Sequence, residues 1–202
     1  MSNMKTPTKE KILNTARDLF NNDGYNRVSM RDIANELHMS VGNLTYHFKK
    51  KEDLVEAIVL RSHMSYKPPQ AATSIEELDK LFKKKRAHHK EHAYYYRHYR
   101  QLSRLSKIIK DIQQEATNDL YNALKITFDN LQANHLMLKE SITGQYDSLI
   151  QIIMASNVYG APMITQFENR PLVETFWNVI HGFLSNEGKQ AYTQMLANKN
   201  QI

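Results

Sequence analysis

Cysteine is absent from the 202-residue chain, so disulfide bonds and thiolate metal sites are excluded. A reducing cytoplasm is the compartment that we expect for such a chain. The sequence has no run of about 18 apolar residues, which argues against a transmembrane helix. The N-terminal stretch MSNMKTPTKEK is polar and lacks the apolar core of a signal peptide.

Glycine and proline are also scarce, with six and five residues. The alternating pattern of β-strands is rare, whereas apolar residues recur at helical spacing along the whole chain. The hydrophobic content of 41% is enough for a packed core. Together these features predict an all-α fold of one or two domains.

Positive charge is unevenly distributed. The net charge is +6, but residues 80–110 contain eleven Lys or Arg and a single acidic residue, Glu91. Residues 1–63 contain ten basic and eight acidic residues. The most basic segment therefore lies outside the N-terminal 63 residues, whose net charge is only +2.

Short helices with clear end signals fill the N-terminal segment. The first is predicted to begin at Thr6-Pro7 and to end at NNDGY, where Gly24 supplies a left-handed stop. The second begins after Ser29, with Asp32 completing a capping box. The turn HMS follows, and Ser40 caps the third helix. Two short helices joined by a three-residue turn form a helix-turn-helix, whose second helix enters the DNA major groove.

The third helix, within SVGNLTYHFKKKEDL (residues 40–54), contains few apolar residues and many hydrogen-bonding ones. We expect Val41, Leu44 and Phe48 to point inward and the polar face to meet DNA, with Gly42 allowing a close backbone approach. Structural roles stay open: the serines are helix caps in any case, Gly42 could pack between helices, and His47 could brace the motif. The candidate DNA-binding residues are Ser29, Arg31, Ser40, Val41, Gly42, Asn43, Thr45, Tyr46, His47, Lys50 and Lys51.

The stretch KILNTARDLFNNDGYNRVSMRDIANELHMSVGNLTYHFKKKEDL resembles the tetracycline-repressor (TetR) family of bacterial transcription regulators. The resemblance implies a homodimeric repressor that binds a palindromic operator and is released by a small molecule. It also implies a helix-turn-helix DNA-binding domain at residues 1–50, a connecting fourth helix at about 51–64, and a larger helical effector and dimerisation domain at 65–202. The chain departs from the family at Thr45, where an aromatic residue is usual, and at Lys50, where a capping residue is often found.

The C-terminal segment begins after SYKPPQAATS, residues 65–74, which we interpret as a loop. Helical patterns cover about 75–90, 92–106, 107–134, 139–160, 172–183 and 186–198. The segments 142–164 and 172–184 are apolar on more than one side, which indicates deep burial or a partner. Because the resemblance implies a dimer, we expect these two segments to form its interface.

Residues 88–99, HHKEHAYYYRHY, suggest two further sites. His88 and His92 are four residues apart beside Glu91 and could form part of a metal site, although no third ligand with motif spacing follows. Alternatively, the tyrosines and arginines could line a pocket for an anionic effector. The simplest interpretation is a core helix with a solvated basic face. The candidate effector-binding residues are His92, Tyr95, Tyr96, Tyr99 and Arg100.

No catalytic motif is visible, and we expect neither enzymatic activity nor a cofactor. Two alternatives to a ligand-responsive regulator stay open. An architectural DNA-binding protein would use the basic segment, including Lys83, Lys84 and Lys85, as a second phosphate-binding surface. A helical metal sensor or metalloenzyme would use His88, Glu91 and His92.

Overall fold

The computed structural model describes residues 8–167 and 172–199, with the backbone alone at 157–167, 172 and 199. Helices dominate this part of the chain, and the all-α prediction is confirmed. Within the described residues, the β-structure is a single antiparallel bridge between Met137 and Leu184. The helices are α1 Thr8–Asp23, α2 Met30–Glu36, α3 Val41–His47, α4 Lys51–Met64, α5 Ile75–Glu91, α6 Ala93–Arg97, α7 Tyr99–Leu105, α8 Lys107–Ala133, α9 Gln145–Phe167, α10 Leu172–Ile180 and α11 Asn186–Lys199, with a 3₁₀ turn at His181–Phe183.

The chain divides into two compact units, neither of which is continuous in sequence. The N-terminal unit combines Met1–Tyr66 with His92–Gln113, and the C-terminal unit combines Lys67–Glu91 with Gln114–Ile202. The sequence predicts a single boundary near residue 65 instead. The difference arises because residues 92–113 pack on the N-terminal helices, a long-range contact that local sequence patterns do not encode. None of the described helices is long and apolar enough to cross a membrane.

The core of the N-terminal unit forms where one face of α1 meets α4. Ile12, Ala16 and Phe20 follow helical spacing on α1 and have no exposed surface. Leu54 and Ile58 of α4 are buried in the same cluster. Gly24, with φ +89°, ends the first helix in the left-handed conformation that the sequence predicts.

The core of the C-terminal unit joins α5, α8, α9 and α10. Phe82 on α5 packs on Phe176 of α10 at a ring-centroid distance of 4.9 Å. Asp79 on α5 is buried, and its carboxylate accepts a 3.1 Å hydrogen bond from Trp177 Nε1. Lys83, one turn further along α5, lies 2.9 Å from the other oxygen of that carboxylate. This buried carboxylate is paired and hydrogen-bonded, as burial of a charge requires.

Two predicted helices differ from the observed ones at their boundaries. The segment predicted as one helix over 92–106 is divided at His98 into α6 and α7. The helix predicted to begin at 139 begins at Gln145, since residues before it form a turn in which the Glu140 carboxylate accepts hydrogen bonds from the amides of Gly144 and Tyr146. Both differences reflect local hydrogen bonding that apolar spacing alone does not predict.

Candidate nucleic-acid interface

The helix α3 is held by one buried side chain and one cap. Ser40 Oγ accepts a 3.1 Å hydrogen bond from the amide of Asn43, as predicted for an N-cap. Leu44 has no exposed surface, whereas the side chain of Tyr46 is 85% exposed. Because the protein covers so little of Tyr46, its ring and hydroxyl are accessible to an outside partner.

The exposed face of α3 carries Val41, Gly42, Asn43 and Tyr46. The expectation that Val41 points inward is wrong, because its side chain is 38% exposed. Because α3 has only two turns with Leu44 at its centre, Val41 in the first turn is covered only in part. An exposed valine can contact a thymine methyl group if this face meets DNA.

The neighbouring polar residues are partly engaged within the protein. Thr45 Oγ1 donates a 3.1 Å hydrogen bond to the carbonyl of Gly42, so its hydroxyl has only its acceptor lone pairs available. The rings of His47 and Tyr46 pack edge to face at 5.3 Å. Both Thr45 and His47 are half-buried. The polar groups best placed for an outside partner are therefore Asn43 and Tyr46.

Gly42 lies in a conformation and a space that any residue could occupy. A Cβ atom placed there meets only Ser40 Oγ, at 3.9 Å, and φ is not positive. No close intramolecular contact of the described residues therefore requires glycine at this position. Since glycine costs a helix about 0.5–1 kcal/mol relative to alanine, its presence on the exposed face supports a close approach by an external partner.

The start of α2 shows the capping box that the sequence predicts. Ser29 Oγ accepts from the amide of Asp32 at 3.3 Å, and the Asp32 carboxylate accepts from the amide of Ser29 at 2.8 Å. Hydrogen bonds from the Ser29 hydroxyl and amide lower the pKa of Asp32. The hydroxyl proton of Ser29 is thus used internally, and Arg31 next to it is exposed.

The three consecutive lysines at residues 49–51 differ in their surroundings. Lys49 and Lys50 are exposed. Lys50 makes no side-chain cap, but its amide donates to Asp53 Oδ2 at 3.2 Å, which replaces part of the missing cap on α4. Lys51 is half-buried, and its ammonium donates to the carbonyls of Tyr25 and Val28 at 2.7 and 2.9 Å.

This contact of Lys51 is the main feature of the site that the sequence analysis does not predict. Its ammonium also lies 4.3 Å from the centroid of the Tyr25 ring. Sequence alone groups Lys51 with its exposed neighbours, because the loop carbonyls that it meets are 23 and 26 residues away. The only sequence signal is the aromatic residue that follows Gly24.

Three of the five candidate effector residues, Tyr95, Tyr96 and Tyr99, lie together in the structure. The Tyr95 ring packs edge to face on Tyr96 and Tyr99 at 5.3 and 5.7 Å. Burial raises the pKa of the Tyr95 hydroxyl, and Tyr99 adds to this effect. Arg100 is exposed and His92 is buried. The tyrosines form one aromatic cluster, and a role in effector binding remains a prediction.

Some of the basic side chains in residues 80–110 are paired or buried within the protein. Lys83 is paired with Asp79, and burial lowers the pKa of Lys85, with Lys84 contributing in the same direction. Lys83 and Lys85 are therefore less suitable for phosphate binding than Lys84. Among the side chains that the structure describes, no group of three or more His, Asp or Glu is placed to hold a metal ion.

The predicted dimer segments contain both buried and exposed apolar residues. Leu149, Ile150 and Ile153 of α9 are in the core, whereas Ile152 is 55% exposed. On α10, Val179 is 38% exposed beside buried core residues, and Ile142, which precedes α9, is 70% exposed. The side chains of residues 157–164 and of Leu172 lie outside the described ones, and they include the apolar residues Val158, Tyr159, Met163 and Ile164. The exposed residues are consistent with a partner, which remains a prediction.

Comparison with known proteins places the resemblance in the N-terminal segment. The sequence profile of the family described as "Bacterial regulatory proteins, tetR family" matches residues 12–58. The HTH-type transcriptional regulator UidR of Escherichia coli K12 is 42% identical over 64 residues, which are 30% of this chain and 33% of UidR. The HTH-type transcriptional regulator QacR of Staphylococcus aureus Mu50 is 48% identical over 46 residues, 23% of this chain and 24% of QacR. The chain thus matches about a third or less of the length of these relatives.

Similarity to solved structures extends over a much larger part of the chain than the sequence similarity does. A crystal structure of a TetR-family transcriptional regulator from Marinobacter aquaeolei VT8 superposes with a TM-score of 0.78. The superposition covers 95% of this chain and 98% of the other, at 17% sequence identity. At this identity the similarity establishes the architecture, an N-terminal helix-turn-helix followed by further helices, and leaves the ligand and the DNA sequence undefined.

Proposed function

We propose that the chain, whose residues 12–58 match the sequence profile of the tetR family of bacterial regulatory proteins, is a sequence-specific DNA-binding transcriptional regulator. The observation that carries this proposal is the exposed face of α3, which presents Gly42, Asn43 and the 85% exposed Tyr46 to solvent. The helix α3 would lie in the major groove, with its first turn against base edges. Lys49 and Lys50 would contribute attraction to phosphates.

The regulator would act in the cytoplasm as a homodimer, with the exposed apolar residues Ile152 and Val179 in the interface and two copies of α3 on a palindromic site. Sedimentation at micromolar concentration is expected to give a dimer. A monomer at that concentration would contradict this part of the proposal. A small molecule bound by the helices that follow residue 65 would release the DNA by binding more tightly to the DNA-free state. The aromatic cluster of Tyr95, Tyr96 and Tyr99 is the part of the predicted effector site that we would vary first.

The experiment that tests DNA recognition is the selection of bound duplexes from random DNA by the full chain at moderate salt. We expect an enriched inverted repeat, whose half-site spacing measures the separation of the two recognition helices. If no sequence is enriched and binding only weakens as salt rises, the proposal fails and an architectural role is favoured. The enriched repeat, called the selected duplex below, then serves as the probe for the variants.

Replacing Asn43 by alanine should relax discrimination at one position of each half-site. A side-chain amide that contacts a base edge contributes about 1–3 kcal/mol of discrimination. Repeating the selection with the variant should therefore show one degenerate position per half-site, while the other positions stay fixed. An unchanged selected sequence would mean that Asn43 does not contact a base.

Replacing Gly42 by alanine should raise the stability of the protein and lower its affinity for DNA. The added methyl group fits the fold, meeting Ser40 Oγ at 3.9 Å, so the free energy of unfolding should rise by about 0.5–1 kcal/mol. Affinity for the selected duplex should fall roughly tenfold, because the methyl group separates the helix from the sugar–phosphate wall. Calorimetry and titration of the same preparation give both values. Unchanged affinity would show that glycine is not required for the approach to DNA.

A further inference from the structure

The ammonium group of Lys51 is bound inside the N-terminal unit. Two of its three protons are donated to the carbonyls of Tyr25 and Val28, at 2.7 and 2.9 Å. The group also lies 4.3 Å from the Tyr25 ring centroid, within the range of a cation–π contact. Burial lowers the pKa of Lys51, and the neighbouring Glu52 opposes this shift. At most one proton of the ammonium group remains for an outside acceptor.

These contacts join the two ends of the helix-turn-helix. Val28 directly precedes Ser29, which caps the start of α2. Lys51 is the first residue of α4 and follows Phe48, the C-cap of α3, by three residues. The bond from Lys51 Nζ to the Val28 carbonyl therefore connects the entrance of α2 to the exit of α3.

The loop that accepts these bonds is itself firmly placed. Tyr25 is buried, and its ring packs edge to face on Phe20 of α1 at 5.4 Å. Burial and the Glu52 carboxylate raise the pKa of Tyr25 to about 12. The amides of Arg27 and Val28 donate to the Gly24 carbonyl at 3.1 and 3.3 Å. Lys51 is thus attached to a rigid part of the unit.

The helix α3 is short and has little buried surface of its own, so an attachment at its end matters for its placement. It has seven residues, and Leu44 is its one buried side chain. A helix of two turns is marginal without tertiary contacts. Its orientation therefore depends strongly on how its two ends are held.

We infer that Lys51 is a positioning residue, which fixes the orientation of α3 by tying the end of the helix-turn-helix to its beginning, and that it is not a phosphate contact. The inference rests on the proposed function, because it concerns how DNA is recognised. It replaces the expectation from sequence, in which Lys51 contacts DNA as Lys50 does. The two roles differ in their salt dependence, since only a phosphate contact releases a counterion.

The test compares Lys51→Met with Lys50→Met, a matched control at an exposed neighbour. Affinities for the selected duplex and for a scrambled duplex are measured over a series of salt concentrations. A lost phosphate contact lowers the slope of log affinity against log salt by about 0.9 per copy of the chain. We expect this decrease for Lys50→Met. For Lys51→Met we expect an unchanged slope and a roughly tenfold lower ratio of selected to scrambled affinity, comparable to the loss of one base contact.

Each other result would overturn the inference. A slope that falls in Lys51→Met as in Lys50→Met would identify a phosphate contact. Equal losses for both duplexes at an unchanged slope would indicate a purely structural role, because a smaller folded fraction lowers both affinities alike. Wild-type values for the variant would show that the bridge is unnecessary.

A second variant covers the case in which Lys51→Met does not fold. Lys51→Gln removes the same charge but retains an amide that can donate to one of the two carbonyls. We expect it to keep the wild-type slope with a smaller loss of the selected-to-scrambled ratio, and a reduced slope would again contradict the inference. If the wild-type chain itself selects no sequence, the proposed function fails, and this result is distinct from any of the outcomes for Lys51.

Discussion

Replacement of Leu44 by alanine is expected to destabilise the N-terminal unit by about 2–5 kcal/mol. Leu44 has no exposed surface and is the one buried residue of α3. The substitution removes the apolar anchor of a seven-residue helix and leaves a cavity in the cluster that contains Ile33 and Leu54. Chemical denaturation followed by circular dichroism measures the loss, and hydrogen exchange at the amides of α1 and α4 assigns it to this unit.

The matched control lies on the opposite face of the same helix. The Tyr46 side chain is 85% exposed, so Tyr46→Ala should change the free energy of unfolding by no more than about 0.5 kcal/mol. Its affinity for the selected duplex should nevertheless fall roughly tenfold or more, since an exposed aromatic residue on the binding face is lost. If Tyr46→Ala destabilises the protein as much as Leu44→Ala does, our assignment of the two faces is wrong.

Replacement of Gly188 by alanine should destabilise the C-terminal unit by about 2–3 kcal/mol. A Cβ atom at this position would lie 2.0 Å from the backbone oxygen of Leu136 and 2.9 Å from its carbonyl carbon. A backbone group cannot rotate away as a flexible side chain can. The start of α11 would have to separate from the turn that contains Leu136.

That separation would also break specific hydrogen bonds. The amide of Ser185 donates to the Leu136 carbonyl at 3.1 Å, and Ser185 Oγ donates to the His135 carbonyl at 2.6 Å. The same hydroxyl oxygen accepts from the amide of Gly188 at 3.0 Å, which caps α11. Ser185 thus fixes α11 to residues 135–136, and the added methyl group acts against all of these bonds.

Gly182 provides the control for this prediction. A Cβ atom at Gly182 meets no described heavy atom within 4 Å, and φ is not in the left-handed region. Gly182→Ala should therefore be neutral, or stabilise by up to about 1 kcal/mol through the unfolded chain. Thermal unfolding of Gly188→Ala and Gly182→Ala measures the two changes in stability. Equal stability of Gly188→Ala and Gly182→Ala would contradict the close approach of Leu136.

Several features of the DNA-binding segment could be predicted from the sequence because their causes are local. The stop at Gly24, the capping box of Ser29 and Asp32, and the cap by Ser40 each involve residues within a few positions of one another. Their side-chain and backbone preferences act before any tertiary contact forms. The helix-turn-helix was therefore predictable in both position and order.

Other features were not predictable, because they depend on contacts between distant residues. Val41 was expected to be buried, but its position in the first turn of α3 leaves it 38% exposed. Tyr94 looks like its neighbour Tyr95 in sequence, yet Tyr94 is fully buried and packs on Phe20 at 5.5 Å, whereas Tyr95 is half-buried. Periodicity gives the helical face on which a residue lies, but it does not indicate which other element covers that face.

The sequence by itself determined the all-α class, the ends of the short N-terminal helices and the polar character of α3, because helix spacing and capping are encoded within a few residues. Only the tertiary structure decided that residues 92–113 pack with the N-terminal helices and that Lys51 binds the loop carbonyls. It also assigned Lys83 to the buried carboxylate of Asp79. For Lys51 and Lys83, the positive charge is evident in the sequence. The role of each depends on whether folding brings an acceptor within hydrogen-bonding distance.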